Sequence, residues 1–164
     1  KGMLYEGGIR EPMAIRWPGV VKPGSVCDTP VIGVDFYPTM LEIAGVRKTE
    51  GKVLDGRSIV PLLTQTGDLD RGAIFWHFPA YLQAGQNTWR TTPAGAIRQG
   101  DYKLLEFFED GRLELYNLQK DIGERHDLSS EMPEKTRELH RRLIEWRKSV
   151  NAPVPTELNP KYDP

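Results

Sequence analysis

Residues 1–12 read Lys1-Gly2-Met3-Leu4-Tyr5-Glu6-Gly7-Gly8-Ile9-Arg10-Glu11-Pro12, and the organisation of the chain follows from this stretch. Gly7-Gly8 lets the backbone turn sharply, while Pro12 pushes Glu11 toward an extended conformation. The segment is therefore a glycine-punctuated loop. Glu6 and Arg10 flank the double glycine, where a carboxylate and a guanidinium can pair and brace the loop, the alternative being direct contact with a bound molecule. Gly7 and Gly8 serve its backbone shape.

Outward from the loop, Met13-Ala14-Ile15-Arg16-Trp17 is a short strand candidate ended by Pro18-Gly19. Asp35 can cap a helix over residues 36–44, with Phe36, Met40 and Ile43 on one face and Gly45 as terminator. A shorter apolar helix is expected around residues 58–63. The character then changes. Residues 73–78 read as a strand, and residues 79–94 as a long irregular loop carrying Tyr81, Trp89 and Arg90. Three strand-like runs follow, at residues 95–98, 102–108 and 112–118. They are separated by Gln99-Gly100-Asp101 and by Glu109-Asp110-Gly111, the latter a hairpin signal. A final helix over about 132–150 aligns Leu139, Leu143, Trp146 and Val150 in one stripe. Its acidic first turn and basic last turn suit the helix dipole.

Two pieces result. Residues 1–70 alternate strand and helix, as the end of an α/β domain does. Residues 71–164 form an α+β unit, an antiparallel meander closed by one amphipathic helix, with a proline-rich tail. The first piece is too small to cover a sheet by itself, because a domain of roughly 60 residues is already marginal. It is expected to need further chain upstream, in keeping with a start at Lys-Gly-Met.

The balance of charge excludes some partners. A formal net charge of −1 offers no clustered basic surface for a nucleic acid. No apolar run approaches the roughly 18–20 residues that span a bilayer, so no membrane insertion is expected. Cys27 is the single cysteine, which rules out an internal disulfide and a thiolate zinc cluster.

The opening loop also matches a known pattern. Lys1-Gly2-Met3-Leu4-Tyr5-Glu6-Gly7-Gly8-Ile9-Arg10-Glu11-Pro12 resembles the K-G-x-x-Y-E-G-G-x-R-x-P signature of the type I, arylsulfatase-like sulfatases. Arg16-Trp17-Pro18-Gly19, the stretch Asp35 to Gly45 and Leu54-Asp55-Gly56-Arg57-Ser58 match further on. Ala96-Ile97-Arg98-Gln99-Gly100-Asp101-Tyr102-Lys103-Leu104 and Glu114-Leu115-Tyr116-Asn117-Leu118 are similar to the C-terminal subdomain of carbohydrate-directed bacterial members. The resemblance runs to about residue 150. It implies the C-terminal part of an alkaline-phosphatase-like fold and a sulfuric ester hydrolase as the parent protein.

Such enzymes use a formylglycine made from Cys or Ser in a C/S-x-P-x-R motif, together with a bound calcium. Cys27-Asp28-Thr29-Pro30 departs from that motif, its proline lying one position late with no arginine after it. The nucleophile and the calcium ligands are thus expected outside this chain, in an N-terminal sulfatase domain, and no metal is expected within it. The chain alone is expected to be inactive. The resemblance implies a periplasmic or secreted location and a sulfated small molecule or glycan as substrate.

Lys1 is the position at which the resemblance implies contact with the sulfate. A sulfate ester needs cationic donors where charge builds on its oxygens during S–O cleavage, and a compact ammonium fits beside glycine backbone. His77, in Phe75-Trp76-His77-Phe78-Pro79, is either a strand-end structural histidine or a donor to sugar hydroxyls or sulfate. Related sequences carry a second histidine after the proline, where this chain has Ala80-Tyr81. Trp89 and Arg90 can supply a stacking face and an anion donor for a sulfated sugar, or ordinary loop packing. His140, on the charged helix, is expected in solvent. The rival to the enzymatic reading is a non-catalytic binding module that keeps this subdomain fold.

Overall fold

The computed structural model describes residues 2–86 and 88–157. They form two units: residues 12–71, and residues 2–11 together with 72–157. The sequence division set residues 1–11 with the first piece. Their contacts place residues 2–11 in the second unit, for a reason that lies in its sheet.

That sheet has four antiparallel strands in the order β1 (Ile74–Phe78), β4 (Ala94–Gln99), β5 (Tyr102–Phe107) and β6 (Leu113–Asn117). The register pairs His77 with Gly95, Ile97 with Leu104 and Leu104 with Leu115. Gly111 turns the β5–β6 hairpin at φ 71°, a backbone conformation that glycine adopts without strain. In β5 the neighbours Leu104 and Leu105 are both buried although they point to opposite faces. Both sides of this antiparallel sheet are therefore covered, which removes the alternation that a half-exposed strand shows.

One face carries Ile97, Leu104 and Leu115, packed by Leu139 and Leu143 of α4 (Pro133–Ser149). Pro133 opens this helix where its missing N–H costs nothing. Trp146 stacks flat on Phe75, with ring centroids 4.8 Å apart. Val150, expected in the same stripe, caps the helix and is exposed. The other face carries Ala94, Ala96, Leu105, Phe107 and Tyr116, and here Leu4 and Tyr5 of the opening loop are the cover. The loop is thus one layer of the unit.

Between β1 and β4 the sequence reading expected only irregular chain. The structure instead has a two-stranded hairpin, β2 (Leu82–Gly85) with β3 (Thr88–Thr91), whose pairing is interrupted by register shifts. Its residues are almost all exposed, so no apolar period marked the strands in advance.

The unit of residues 12–71 is helical and loosely cored. A 3-10 turn, Gly33–Asp35, leads into α2 (Phe36–Ile43), and α3 (Val60–Thr64) follows. Asp35 does not cap α2 with its side chain. Fully buried, it accepts the backbone N–H groups of Ile32 at 2.8 Å and Arg57 at 2.9 Å, and pairs with Arg71. Phe36, Met40 and Ile43, expected as the packed face of α2, are exposed. Residues 13–17 form no strand, because strand structure needs a neighbour to complete its hydrogen bonds and the described residues supply none there.

Glu106 of β5 lies on the α4 face, bonded to Arg147 through both guanidinium nitrogens and 3.1 Å from His140 Nε2. His140 is therefore half-covered over a carboxylate rather than solvated. Burial raises the Glu106 pKa, but the bonds from His140 and Arg147 outweigh it and hold the carboxyl below its ordinary value. A group with a depressed folded pKa stabilises above its unfolded pKa and loses that contribution as pH falls through the folded one. Glu106→Gln is thus expected to lower stability at pH 7 by about 1–3 kcal/mol. The difference should shrink below about pH 4, near the unfolded value, as read from urea midpoints across pH.

Candidate functional site

The opening loop folds into a single helical turn, α1 (Glu6–Ile9), closed by Gly8 and Ile9 N–H on Tyr5 O and by Arg10 N–H on Glu6 O. A Cβ at Gly8 would stand 2.0 Å from Met3 O, so that position must be glycine for close approach rather than for an unusual φ. At Gly7 a Cβ would meet nothing within 4 Å. The two glycines that the sequence reading treated alike therefore have different roles.

Tyr5 and Glu6 fasten this turn to the sheet. Tyr5 packs between Phe107 and Tyr116, and its hydroxyl donates to Glu114 Oε2 at 2.6 Å. The Tyr116 hydroxyl donates to the same oxygen at 2.8 Å, while Arg112 holds Oε1. Burial keeps both phenols above their ordinary pKa, so they remain donors. Glu6 Oε1 lies 3.0 Å from the ammonium of Lys103, whose side chain has no exposed surface. Lys103 is also 2.8 Å from Glu124 Oε1, and the other Glu124 oxygen accepts the Glu6 backbone N–H.

The expected Glu6–Arg10 brace is present but long, at 3.5 Å, with Arg10 half-exposed. Its energetic weight is small beside a buried pair. Lys103 and Glu124 escaped the sequence reading. A signal existed, since a lysine inside the apolar run Tyr102-Lys103-Leu104-Leu105 needs a carboxylate wherever that face is covered. Nothing local names the partners, 97 residues away in one case.

Lys1 lies outside the described residues. Its neighbour Gly2 adopts φ 95°, and a Cβ there would meet Arg90 Cδ at 2.6 Å and Leu82 Cδ2 at 2.8 Å. The start of the loop thus runs directly under the β2–β3 hairpin, and Arg90 is brought to it. Trp89 is exposed on the same strand, its ring 5.1 Å from Tyr81, whose hydroxyl donates to Glu109 at 2.6 Å. Arg90 and Trp89 therefore share a strand beside the loop.

His77 does not join them. It points to the α4 face, against Phe108 at 5.5 Å, with Nε2 2.8 Å from the carbonyl of Pro153 in the tail. Nε2 must carry the proton for that bond, and buried Nδ1 has no hydrogen-bond partner. Through this bond His77 ties the tail to the end of β1. Cys27 is free and exposed. Among the described residues no three His, Cys, Asp or Glu side chains group together. Nor is any described helix long and apolar enough to cross a membrane.

Residues 1–149 match the family described as N-sulphoglucosamine sulphohydrolase, C-terminal. The chain belongs to the sulfatase family. Among the relatives of this sulfatase chain, a sulfatase of Formosa agariphila is 38% identical over 94% of the chain and 30% of its own length. Steryl-sulfatase of Mus musculus is 31% identical over 99% of the chain and 30% of its own length. A protein solved in complex with its substrate D-glucosamine-2-N,6-O-disulfate superposes with a TM-score of 0.69 at 30% identity, over 87% of this chain and 29% of that one. The chain thus spans about 30% of the length of the curated relatives it matches. Its architecture, an antiparallel sheet with a C-terminal helix, is that of the C-terminal part of the alkaline-phosphatase-like sulfatases.

The two glycines give a direct test of the loop. Gly8→Ala is expected to displace the α1 turn and lower stability by about 1–3 kcal/mol, whereas Gly7→Ala leaves room for its methyl group. Side-by-side urea midpoints check this, and equal losses in the two variants would contradict it.

Proposed function

We propose that this chain is the C-terminal portion of a sulfuric ester hydrolase acting on sulfated carbohydrate in the periplasm or outside the cell. The observation that carries the reading is the family match over residues 1–149, which includes the whole opening loop. The formylglycine and the calcium belong to residues outside this chain, where they supply the nucleophile and charge neutralisation. This chain contributes Lys1, as a cationic donor to the oxygens that gain charge as the S–O bond breaks. Arg90, placed against Gly2, is a second cation for the substrate's anionic group. Trp89 offers an exposed indole face on which a pyranose ring can stack. The solved relative with a disulfated glucosamine as its substrate supports a carbohydrate. The steryl-sulfatase relative keeps the sterol esters as the comparison to run.

The chain by itself is expected to give no turnover of a generic aryl sulfate above a heat-killed control. In the full-length enzyme, Lys1→Ala should lower kcat/KM by about tenfold or more, as for loss of one charge-stabilising donor. Arg90→Ala and Trp89→Ala should raise KM for a sulfated monosaccharide more than for a small aryl sulfate. Turnover by the isolated chain would remove the chemistry from the upstream domain. Hydrolysis of a steryl sulfate without hydrolysis of any sulfated sugar would overturn the carbohydrate assignment.

A further inference from the structure

Lys103 is the second residue of β5, with a fully buried ammonium. An unpaired charge in such a place costs several kcal/mol, so the arrangement holds only because two carboxylates face it. Their origins differ. Glu124 sits in the turn beyond β6, at φ 52°, while Glu6 comes from the opening loop. Glu124 also accepts the Glu6 backbone N–H, so the loop is gripped at one residue through both main chain and side chain. Upstream of that grip the chain runs through Tyr5, bonded to Glu114, to Gly2, which lies against Arg90 and Leu82. Arg10, half-exposed at 3.5 Å, cannot substitute for the buried pair.

We infer that Lys103 is a positioning residue of the sulfate-ester site: through Glu6 it sets where the loop meets Arg90. The inference rests on the sulfatase reading above. Lys103 touches no substrate; it acts on the start of the loop, at Gly2, by holding Glu6, four residues before Arg10 and four after Gly2. A donor displaced by about 1 Å loses much of its value at the transition state, so the effect should fall on kcat more than on KM.

The test uses the full-length sulfatase that carries this chain. Glu6→Gln leaves Lys103 and Glu124 as a balanced buried pair, so folding is little disturbed while the ionic half of the grip on the loop is removed. Lys103→Met removes the tether from the other side and leaves two buried carboxylates. Both variants should lower kcat on an aryl sulfate by about tenfold with KM within about threefold. Joining them should cost no more than Lys103→Met alone, because both act on one contact. Arg10→Ala, which keeps the tether, should cost less than either. Hydrogen exchange of peptides covering residues 2–11 should rise in Glu6→Gln while β4 and β5 stay protected.

Wild-type kcat in Glu6→Gln, losses that add in the double variant, or unchanged exchange at residues 2–11 would each overturn the inference. If Lys103→Met does not fold, Glu6→Gln decides. A wild-type enzyme that turns over no sulfate ester overturns the sulfatase reading instead, and the exchange experiment still judges the tether.

Discussion

Glu6 and Lys103 are 97 residues apart in sequence and 3.0 Å apart in space, in a place that water does not reach. Neither charge could remain there alone, since the desolvation of an unpaired ion exceeds what packing returns. The consequence is cooperative. The opening loop can settle only on a formed sheet, and that face of the sheet can close over Lys103 only when the loop is in place. Glu124 completes the arrangement by binding the lysine and the loop backbone together. A contact of this kind contributes less to net stability than a hydrophobic one of equal size would. It contributes uniqueness, because a slip of β5 by one residue would turn the ammonium into the apolar layer under α4.

The sheet then divides the labour between its faces. Under α4, Leu139, Leu143 and Trp146 make an apolar layer with Ile97, Leu104, Leu115 and Phe75. The Glu106 cluster with Arg147 and His140 fixes one end of that helix, and His77 ties the tail on the same side. On the other face, aromatic packing by Tyr5 and its bond to Glu114 hold the loop. The start of the loop, at Gly2, meets Arg90. The sheet is thus held between a helical backing on one side and a charged, loop-bearing surface on the other.

The unit of residues 12–71 is built by a different economy. Asp35 takes two backbone N–H groups and one guanidinium, joining the start of α2 to residues 57 and 71, while Thr39 hydroxyl accepts the Ile59 N–H at 3.0 Å. Polar closure of this sort holds loops at short cost in apolar area. The apolar stripe of Phe36, Met40 and Ile43 has the helical spacing of a packed face, yet it is exposed here. The periodicity was legible, but what a stripe packs against is never contained in the stripe.

By itself the sequence determined the meander, its hairpin at Asp110-Gly111, the long terminal helix and the opening loop with its family signature. Each is a local matter of spacing, turn chemistry or contiguous motif. Only the tertiary structure decided which carboxylate answers Lys103, that Gly8 is forced by the Met3 carbonyl whereas Gly7 is not, and which face receives His77. It also decided that residues 82–85 pair with residues 88–91 and that residues 13–17 join no strand among the described residues. The reason is the same in every case. Strand pairing, burial of charge and close backbone approach depend on partners distant along the chain, and a residue's type states that it needs a partner without stating which one.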